Sequence, residues 1–244
     1  MTAPRLLAFD TSTDTLSVAV GLGSQVLAEH TAAGGAQASV ALIPAIRALL
    51  AQAGWQLHEL DAIVFGRGPG AFTGVRTACS VAQGLAFAAQ VPVLPLDTLA
   101  AVAQTGLDAA RVAGQTPTHV GALLDARMDE IYVAGYRVDG DALHLQNAPR
   151  LSRPEELVHA LDVAPGWWLA GNAGAVYGGR FPAALAALPQ HSTVPTARAL
   201  LRLAPAALAA GAAVDAALAQ PLYVRDKVAL TTAERAAAAA GAAA

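Results

Sequence analysis

The chain is poor in cysteine: Cys79 is the single one among 244 residues. One thiol cannot build an internal disulfide framework, so the small secreted domains that depend on such frameworks are excluded. The first ten residues also lack a basic stretch followed by the apolar core of a signal peptide. Both absences predict a cytoplasmic protein in which Cys79 serves packing.

Long apolar runs are missing too, although 55% of the residues are hydrophobic and the mean hydropathy is +0.45. Alanine supplies much of both values. No stretch of about 20 strongly apolar residues, the length a spanning helix needs, is free of glutamine, proline or charge. The sequence therefore predicts no spanning helix and no membrane association. Its length suits one large or two modest domains with a substantial core.

Clusters of lysine and arginine are absent, and the formal net charge is −3. A protein that holds a duplex or a folded RNA alone usually has a basic face, because neutralising phosphates supplies most of the affinity. Direct nucleic-acid binding is therefore expected only through a surface shared with another protein.

The usual catalytic constellations are missing as well. The histidines occupy positions 30, 58, 119, 144, 159 and 191, so no two lie three or four residues apart, as a helical metal-binding pair requires. There is no G-x-S-x-G nucleophile elbow, and Cys79 has no histidine close in sequence to act as its base. We therefore predict no metal site and no catalytic residue.

The most distinctive segment that is present is a glycine-rich loop, GRGPGAFTGVR, at residues 66–76. It joins a predicted buried strand, 62–65, to a predicted helix, 77–89. Its four glycines leave backbone amides open, so the loop either makes a tight strand-to-helix turn or presents N–H groups to an anion or a partner. The loop has no lysine and does not fit the Walker spacing. Physical reasoning alone slightly favours the turn.

A polar segment, Asp10-Thr11-Ser12-Thr13-Asp14, follows the first predicted strand, 6–9. Strands are predicted after it at 16–20 and 26–28. Asp10 and its hydroxyl neighbours could hold a phosphate or a metal-bound water. Residues of these types also close turns by bonding to their own backbone, and this reading is favoured for the segment alone.

Two predicted helices carry more apolar surface than one sheet face can cover. The first begins near Ser39, which can cap it, and ends at Gly54; the second is the helix 77–89. Either both helices are buried inside an α/β/α sandwich, or the surplus face meets another protein chain.

The two halves of the chain repeat a short pattern. Asp10 and Asp14 follow one predicted strand, and Asp125 and Asp129 follow another, 120–124, at the same offsets. This spacing favours an internal duplication. The second copy has no glycine where a phosphate would need close backbone approach. This argues against a chain that hydrolyses ATP on its own.

Composition also predicts where the halves meet. A short helix is predicted over 98–104 and a hinge over 106–118, which gives lobes 1–105 and 106–231. The alanine-rich tail, 232–244, is expected to be a lone helix or disordered. In the second half we predict a hairpin around 139–141, a strand at 167–170, helices at 154–161, 177–188 and 198–210, and an extended segment at 221–227.

Five segments spread over most of the chain resemble those of the TsaB (YeaZ) family. They are LAFDTS at 7–12, the loop 66–76, QGLA at 83–86, DARM-x-EIY at 125–132 and P-x-Y-x-R at 221–225. The resemblance implies a two-lobed α/β fold of the actin, sugar-kinase and Hsp70 type (RNase H-like), with mixed sheets flanked by helices. Two features depart from the family pattern: Gln37-Ala38-Ser39 stands where many relatives have a His-Ser pair, and the alanine tail is extra.

The resemblance also implies a function. It implies a non-catalytic dimerisation subunit in the formation of threonylcarbamoyladenosine at position 37 of tRNAs that read codons beginning with adenine. The implied partners are the catalytic subunit TsaD, which holds the metal and transfers the threonylcarbamoyl group, and the ATPase TsaE. A homodimer is implied when the chain is alone, and contact with tRNA only through the complex.

In the first of two functional hypotheses the chain is a scaffold whose helices contact TsaD. Small residues there would let helices approach closely, so an arginine at Ala82 or Gly84 is expected to abolish the complex and leave the chain folded. The alternative is that the neighbouring face of the same helices contacts TsaD. The residues of the expected interface are Leu42, Ile46, Leu49, Val75, Ala78, Ala82, Gly84 and Leu85.

In the second hypothesis the chain is an enzyme of the same fold that binds or hydrolyses a magnesium nucleotide; a peptidase is less favoured. No cofactor of its own is expected under the first hypothesis, although a nucleotide shared at a subunit interface is compatible with both. The candidate nucleotide or anion contacts are Asp10, Thr11, Ser12, Arg67, Gly68, Gly70 and Arg76.

Overall fold

The structure, a computed structural model, describes residues 3–225 of the chain. Its first sheet has five strands in the order β3-β2-β1-β4-β5. The meander β1-β2-β3 is antiparallel, and β4 and β5 continue from β1 in parallel. The strands are β1 Arg5–Asp10, β2 Thr15–Leu22, β3 Gln25–Ala33, β4 Ala62–Gly66 and β5 Val93–Leu96.

The central strand β1 explains the layers around this sheet. Its residues from Leu6 to Phe9 are all fully buried, and successive side chains point to opposite faces. Leu7 and Phe9 belong to the core under α1 (Ala38–Ala53) and α2 (Phe72–Ala89). Leu6 and Ala8 pack on the other face against α6 (Ala197–Ala209). The first sheet is therefore covered by helices on both sides.

The second sheet repeats this topology in the order β10-β9-β6-β7-β8, with β6-β7-β8 antiparallel and β9 and β10 parallel to β6. The predicted hairpin and the predicted strand at 167–170 are confirmed. Its strands are β6 His119–Asp125, β7 Ile131–Asp139, β8 Ala142–Ser152, β9 Trp167–Ala170 and β10 Gln190–His191.

The connection between the lobes is helical where the sequence predicted a hinge. Helix α3 spans Thr98–Val112, so the prediction that it ends at Gln104 is wrong, and the predicted boundary between residues 105 and 106 falls inside it. A Cβ on Gly106 would lie 2.3 Å from the Cβ of Ala170. Gly106 therefore serves close packing of α3 on the second sheet.

The predicted division at residue 106 also fails for the end of the chain. Helix α6 packs on the first sheet, where Leu200 and Leu201 are fully buried beside Leu6. Val214 forms an antiparallel bridge with Val93 at the sheet edge. Residues 197–219 thus cover the lobe that begins the chain, while the predicted tail 232–244 lies outside the described residues.

Several element boundaries differ from the predictions. Helix α2 starts at Phe72, inside the glycine-rich loop, and not at residue 77. The predicted helix 177–188 is not continuous: α4 (Ala173–Tyr177) ends where it was expected to begin, a 3₁₀ turn follows at Gly178–Arg180, and α5 spans only Ala183–Ala186. Pro182, which cannot donate a helical hydrogen bond, stands directly before α5. The predicted cap by Ser39 is absent, whereas Gly54 ends α1 with a φ of 70° as predicted.

One segment, Gly35–Ala53, is long and apolar enough to cross a membrane by length and composition alone. In the structure this segment contains α1, and its residues Leu42, Ile46 and Leu49 are buried in the core of the first lobe. Core packing therefore accounts for part of its apolar character, because six residues of α1 are buried.

Candidate functional site

Asp10, at the carboxyl end of β1, is fully buried. Its Oδ1 accepts hydrogen bonds from the backbone N–H of Ser12 (2.7 Å) and from Ser12 Oγ (2.6 Å), and its Oδ2 accepts one from Thr98 Oγ1 (3.0 Å). Burial raises the pKa of the Asp10 carboxyl, and these hydrogen bonds oppose the rise. Both carboxyl oxygens therefore hold the turn together.

The glycine-rich loop packs its backbone directly onto this turn. A Cβ on Gly74 would lie 1.9 Å from the carbonyl oxygen of Thr11, and one on Gly70 would lie 2.5 Å from that of Ser12. The N–H of Ala71 donates to the Ser12 carbonyl (2.7 Å), and Thr11 Oγ1 donates to the Gly74 carbonyl (2.7 Å). The glycines are thus needed for close approach, as the tight-turn interpretation requires.

The two candidate arginines are engaged inside the molecule as well. Arg67 forms an ion pair with Asp97 (2.6 Å). The guanidinium of Arg76 lies 3.6 Å from the ring centroid of Phe72, and its Nε donates to the hydroxyl of Tyr223 (2.7 Å). Asp10 and Ser12 bond each other, whereas Thr11, Arg67 and Arg76 bond to other residues of the chain. The polar side chains predicted to contact an anion are therefore already engaged within the molecule.

A cleft of about 210 Å³ lies between the lobes. Pockets that take small-molecule ligands usually measure about 300–1,000 Å³, so this cleft is small for a nucleotide. Arg127 closes part of it, because its guanidinium forms ion pairs with Asp14 of the first lobe (2.8 Å) and with Asp125 (3.1 Å). Within residues 3–225 no group of three or more His, Cys, Asp or Glu side chains could hold a metal ion.

The second copy of the repeated pattern has a different local structure. Arg127, Met128 and Asp129 are three consecutive residues with φ between 55° and 60°, a left-handed turn that non-glycine residues rarely form. Asp125 accepts hydrogen bonds from the N–H of Arg127 (2.8 Å) and the hydroxyl of Tyr177 (3.0 Å). The aspartate spacing indicated the duplication, but nothing in it indicated this turn.

Most of the predicted partner interface is buried inside the chain's own core, so that prediction is wrong for six of its eight residues. Gly84 is exposed and Leu85 is half-buried. A side chain that fills its own core cannot also contact a partner. The six buried residues are Leu42, Ile46, Leu49, Val75, Ala78 and Ala82.

The neighbouring face of the same helices is open, which is the alternative that the sequence allowed. On α1, Val40 is 77% exposed and Ile43 is 45% exposed; on α2, Phe72 is 40% and Phe87 77% exposed. Together with Gly84 these residues form what we call the α1–α2 face. Sequence reasoning chose the wrong side because both sides of each helix are rich in apolar residues.

The two sheets define the class of protein. Each has an antiparallel three-strand meander continued by two parallel strands and flanked by helices, in a duplicated order. This is the two-lobed α/β fold of the actin, sugar-kinase and Hsp70 type, so the predicted fold class is confirmed.

Comparisons with known proteins identify the family. A family model described as "TsaD: tRNA N6-adenosine threonylcarbamoyltransferase" matches residues 25–233. The tRNA threonylcarbamoyladenosine biosynthesis protein TsaB of Escherichia coli K12 is 33% identical over 242 residues, covering 92% of this chain and 96% of that protein. The chain belongs to the TsaB (YeaZ) family, as the resemblance implied.

Two further relatives agree with this assignment. The TsaB protein of Haemophilus influenzae is 42% identical over 132 residues, which cover 52% of this chain and 51% of that protein. The solved structure of YeaZ from Pseudomonas aeruginosa is 40% identical, covers 90% of this chain and 99% of its own, and superimposes with a TM-score of 0.79. The likeness to YeaZ thus extends over both lobes.

Proposed function

We propose that this chain is a non-catalytic subunit that binds a TsaD-type protein through the α1–α2 face and so supports the formation of threonylcarbamoyladenosine in tRNA. Two relatives are named for the biosynthesis of this nucleoside, and the matching family model is described as the threonylcarbamoyltransferase. By the same resemblance we assign the action to adenosine 37 in the cytoplasm, with an ATPase of the TsaE type as a third component and tRNA contacted only through the complex.

The exposure of the α1–α2 face is the observation that carries this proposal. Phe87 and Val40 are each 77% exposed on helices whose other sides fill the core. Covering a large apolar side chain contributes about 1.5–3 kcal/mol. Among residues 3–225, no heavy atom outside its own helix backbone and chain neighbours lies within 4 Å of a Cβ built on Gly84, so a partner helix can come close at this point.

We also propose that the chain itself is not catalytic. This part of the proposal rests on the hydrogen bonds and ion pairs that the candidate nucleotide-binding groups already form within the chain. Asp10 and Ser12 bond each other, and Arg127 occupies the cleft with its ion pairs to Asp14 and Asp125. A group that is already bonded in this way must break those bonds before it can bind a substrate. We therefore assign no cofactor to this chain alone and place any nucleotide at a subunit interface.

The proposal is tested by binding of purified chain to a purified TsaD-type protein. Phe87→Ser, Val40→Ser and Gly84→Arg should each weaken the complex by about tenfold or more, because they remove or obstruct central apolar contact. Val112→Ser is the matched control: Val112 is 92% exposed but lies on α3, away from the α1–α2 face. The proposal fails if the three face variants bind as tightly as the control.

The variants must also be shown to fold. Gly84→Arg suits this purpose because Gly84 is exposed, whereas Ala82 is fully buried and an arginine there would disrupt the core. Ala82→Arg should therefore unfold the chain, contrary to the expectation from the sequence. Thermal unfolding monitored by circular dichroism should give the same midpoint for Phe87→Ser as for the control variant.

In the absence of a partner, we propose that the same face closes on a second copy of the chain. A symmetric dimer would bring Phe87 and Val40 of one copy against the same helices of the other. Light scattering after gel filtration should then show a dimer for the wild-type chain and a monomer for Gly84→Arg. A Gly84→Arg dimer would count against this use of the face.

The second candidate function, a nucleotide-dependent enzyme, rests on the interlobe cleft with its two carboxylates and Arg127. Calorimetric titration of the chain alone with Mg-ATP separates the two. We expect no saturable heat, because the cleft is small and Arg127 is bonded across it. Tight binding that is lost in Arg127→Ala, together with steady turnover, would favour the enzyme.

A further inference from the structure

The extended segment Pro221–Arg225 crosses from one lobe to the other at the mouth of the cleft, and we call it the strap. On the first lobe, the N–H of Leu222 donates to the carbonyl of Arg67 (2.7 Å). On the second lobe, Arg225 Nη2 donates to the carbonyl of Ala126 (3.0 Å) and forms an ion pair with Glu130 (2.6 Å). One short segment therefore holds both lobes.

The middle of the strap reaches the first turn of α2. The ring of Tyr223 lies 5.8 Å from that of Phe72, and its hydroxyl accepts a hydrogen bond from Arg76 Nε (2.7 Å). Phe72 and Arg76 lie one helical turn apart, so Tyr223 contacts two residues on the same side of α2. The strap thus orders the end of α2 at which the α1–α2 face begins.

The end of the strap binds the left-handed turn. Three consecutive non-glycine residues at positive φ, 127–129, are costly and persist only where the surroundings fix them. The side chain of Arg225 is 14% exposed; it reaches the carbonyl at the start of the turn and the carboxylate of Glu130 at its end. Arg225 Nη1 also lies 3.1 Å from the sulfur of Met128. The guanidinium is therefore one of three side-chain supports of the turn, beside Asp125, which accepts from the Arg127 N–H (2.8 Å), and Arg180, which pairs with Asp129 (2.7 Å).

The left-handed turn at 127–129 makes a second contact between the lobes, in addition to the strap. Arg127, its first residue with positive φ, forms the ion pair with Asp14 on the opposite side of the cleft. An exposed ion pair of this kind contributes little when its partners move freely, but a fixed turn lowers the cost of holding Arg127 in place. Arg225 therefore supports two bridges between the lobes, one direct and one through Arg127.

We propose that the strap is an interlobe latch: with Arg225 seated on the left-handed turn, it fixes the lobes against each other and holds the first turn of α2 in its binding geometry. The second half of this statement rests on the proposed function, because it concerns the partner-binding face. The first half concerns the chain alone.

Hydrogen–deuterium exchange on the full chain tests the latch. In Arg225→Ala, the amides of Ala126 and Glu130, which close the turn by donating to Glu130 and Arg127 carbonyls, should exchange about tenfold faster or more. Arg225→Lys should lie between this variant and wild type, because an ammonium lacks the planar fork of donors.

The matched control is Arg198→Ala, which removes a two-bond ion pair with Glu29 on the exterior of the first lobe. It should leave exchange at 126–130 unchanged. Wild-type exchange at 126–130 in Arg225→Ala would overturn the latch, and so would equal acceleration in Arg198→Ala, because either result would show that Arg225 does not specifically support the turn.

A binding measurement separates the latch from the proposed function. With the TsaD-type protein, Arg225→Ala should bind severalfold more weakly, since the first turn of α2 is less ordered, whereas Phe87→Ser should weaken binding by about tenfold or more and keep wild-type exchange at 126–130. Unchanged affinity in Arg225→Ala would overturn the link to α2. If wild-type chain fails to bind, the proposed function falls, and exchange on the chain alone still decides whether the latch exists.

Discussion

Two glycines of α2 have opposite roles, although both stand within one helix. A Cβ on Gly74 would lie 1.9 Å from the Thr11 carbonyl, whereas in the described part of the chain one on Gly84 meets nothing beyond its own helix within 4 Å. We predict that Gly74→Ala lowers the free energy of unfolding by about 1–3 kcal/mol or more, since backbone must move. Gly84→Ala should raise it by about 0.5–1 kcal/mol, because alanine is the better helix former.

Urea denaturation of the two variants measures both effects, and each serves as the control for the other. The prediction for Gly74 is contradicted if Gly74→Ala is as stable as wild type, because the loop would then tolerate displacement from the Asp10 turn. A destabilised Gly84→Ala would mean that this site has a packing neighbour.

The pH dependence of stability should reveal the buried carboxyl of Asp10. Burial raises its pKa above the ordinary value of 3.8, so the folded state favours the protonated form more than the unfolded state does. The stability that the protonated Asp10 contributes is fully present below pH 3.8 and is lost as the pH rises through the pKa of Asp10 in the folded state. The unfolding free energy of wild type minus that of Asp10→Asn should therefore fall with rising pH.

Urea titrations of both proteins at several pH values above 3.8 provide the measurement. Asparagine matches the shape of aspartate and cannot ionise, so other carboxyl groups contribute equally to both proteins and cancel in the difference. A difference that grows with pH would instead show that the hydrogen bonds from Ser12 and Thr98 outweigh the burial.

At the level of the helices, α1 shows that nearby apolar residues can contribute very differently to the free energy of unfolding. Leu42 is fully buried, whereas Val40 is 77% exposed. Leu42→Ala should lower the free energy of unfolding by about 2–5 kcal/mol through the cavity that it leaves. Val40→Ala should change it by less than about 0.5 kcal/mol. Thermal unfolding of the two variants checks the pair, and comparable losses would mean that Val40 is also packed.

The same helices show what the sequence could and could not predict. The β1–β2 strand pair and the end of α1 at Gly54 followed from local patterns: apolar alternation, polar turns and a left-handed glycine. Which side of α1 is buried depends on contacts with distant strands. The spacing of apolar residues in the sequence cannot show which of two apolar sides faces the core. Gly106 marked a close contact with Ala170, which no local pattern distinguishes from a hinge.

The candidate site divides in the same way. The sequence predicted anion contacts at Asp10, Ser12 and Gly70, which remains a prediction, while the structure brings Gly70 against the Ser12 carbonyl. The sequence could not show that Asp10 and Ser12 bond each other, nor that Arg225, almost 100 residues away, supports the turn at 127–129. Those outcomes depend on atomic distances between segments far apart in sequence.

At the scale of the whole molecule, the lobes are interlocked by α6. This helix follows the second sheet in sequence but covers the first, where Leu200 and Leu201 are fully buried and the N–H of Ala197 donates to Ser17 Oγ (2.8 Å). Each buried leucine stabilises the fold by about 1.5–3 kcal/mol. A first lobe without α6 would expose one face of its sheet, at a cost comparable with the whole stability of a small domain.

We therefore predict that residues 3–97 alone do not unfold cooperatively, whereas the same residues joined by a flexible linker to 194–225 do. The joined chain restores the helical cover over Leu6 and Ala8 and contains no residue of the second sheet. Circular dichroism during heating distinguishes a sigmoidal transition from a gradual change. A joined chain in which Leu200 and Leu201 are both serine is the control and should behave like 3–97. If 3–97 alone melts cooperatively, α6 is dispensable to the first lobe, and the two lobes are independent folding units after all.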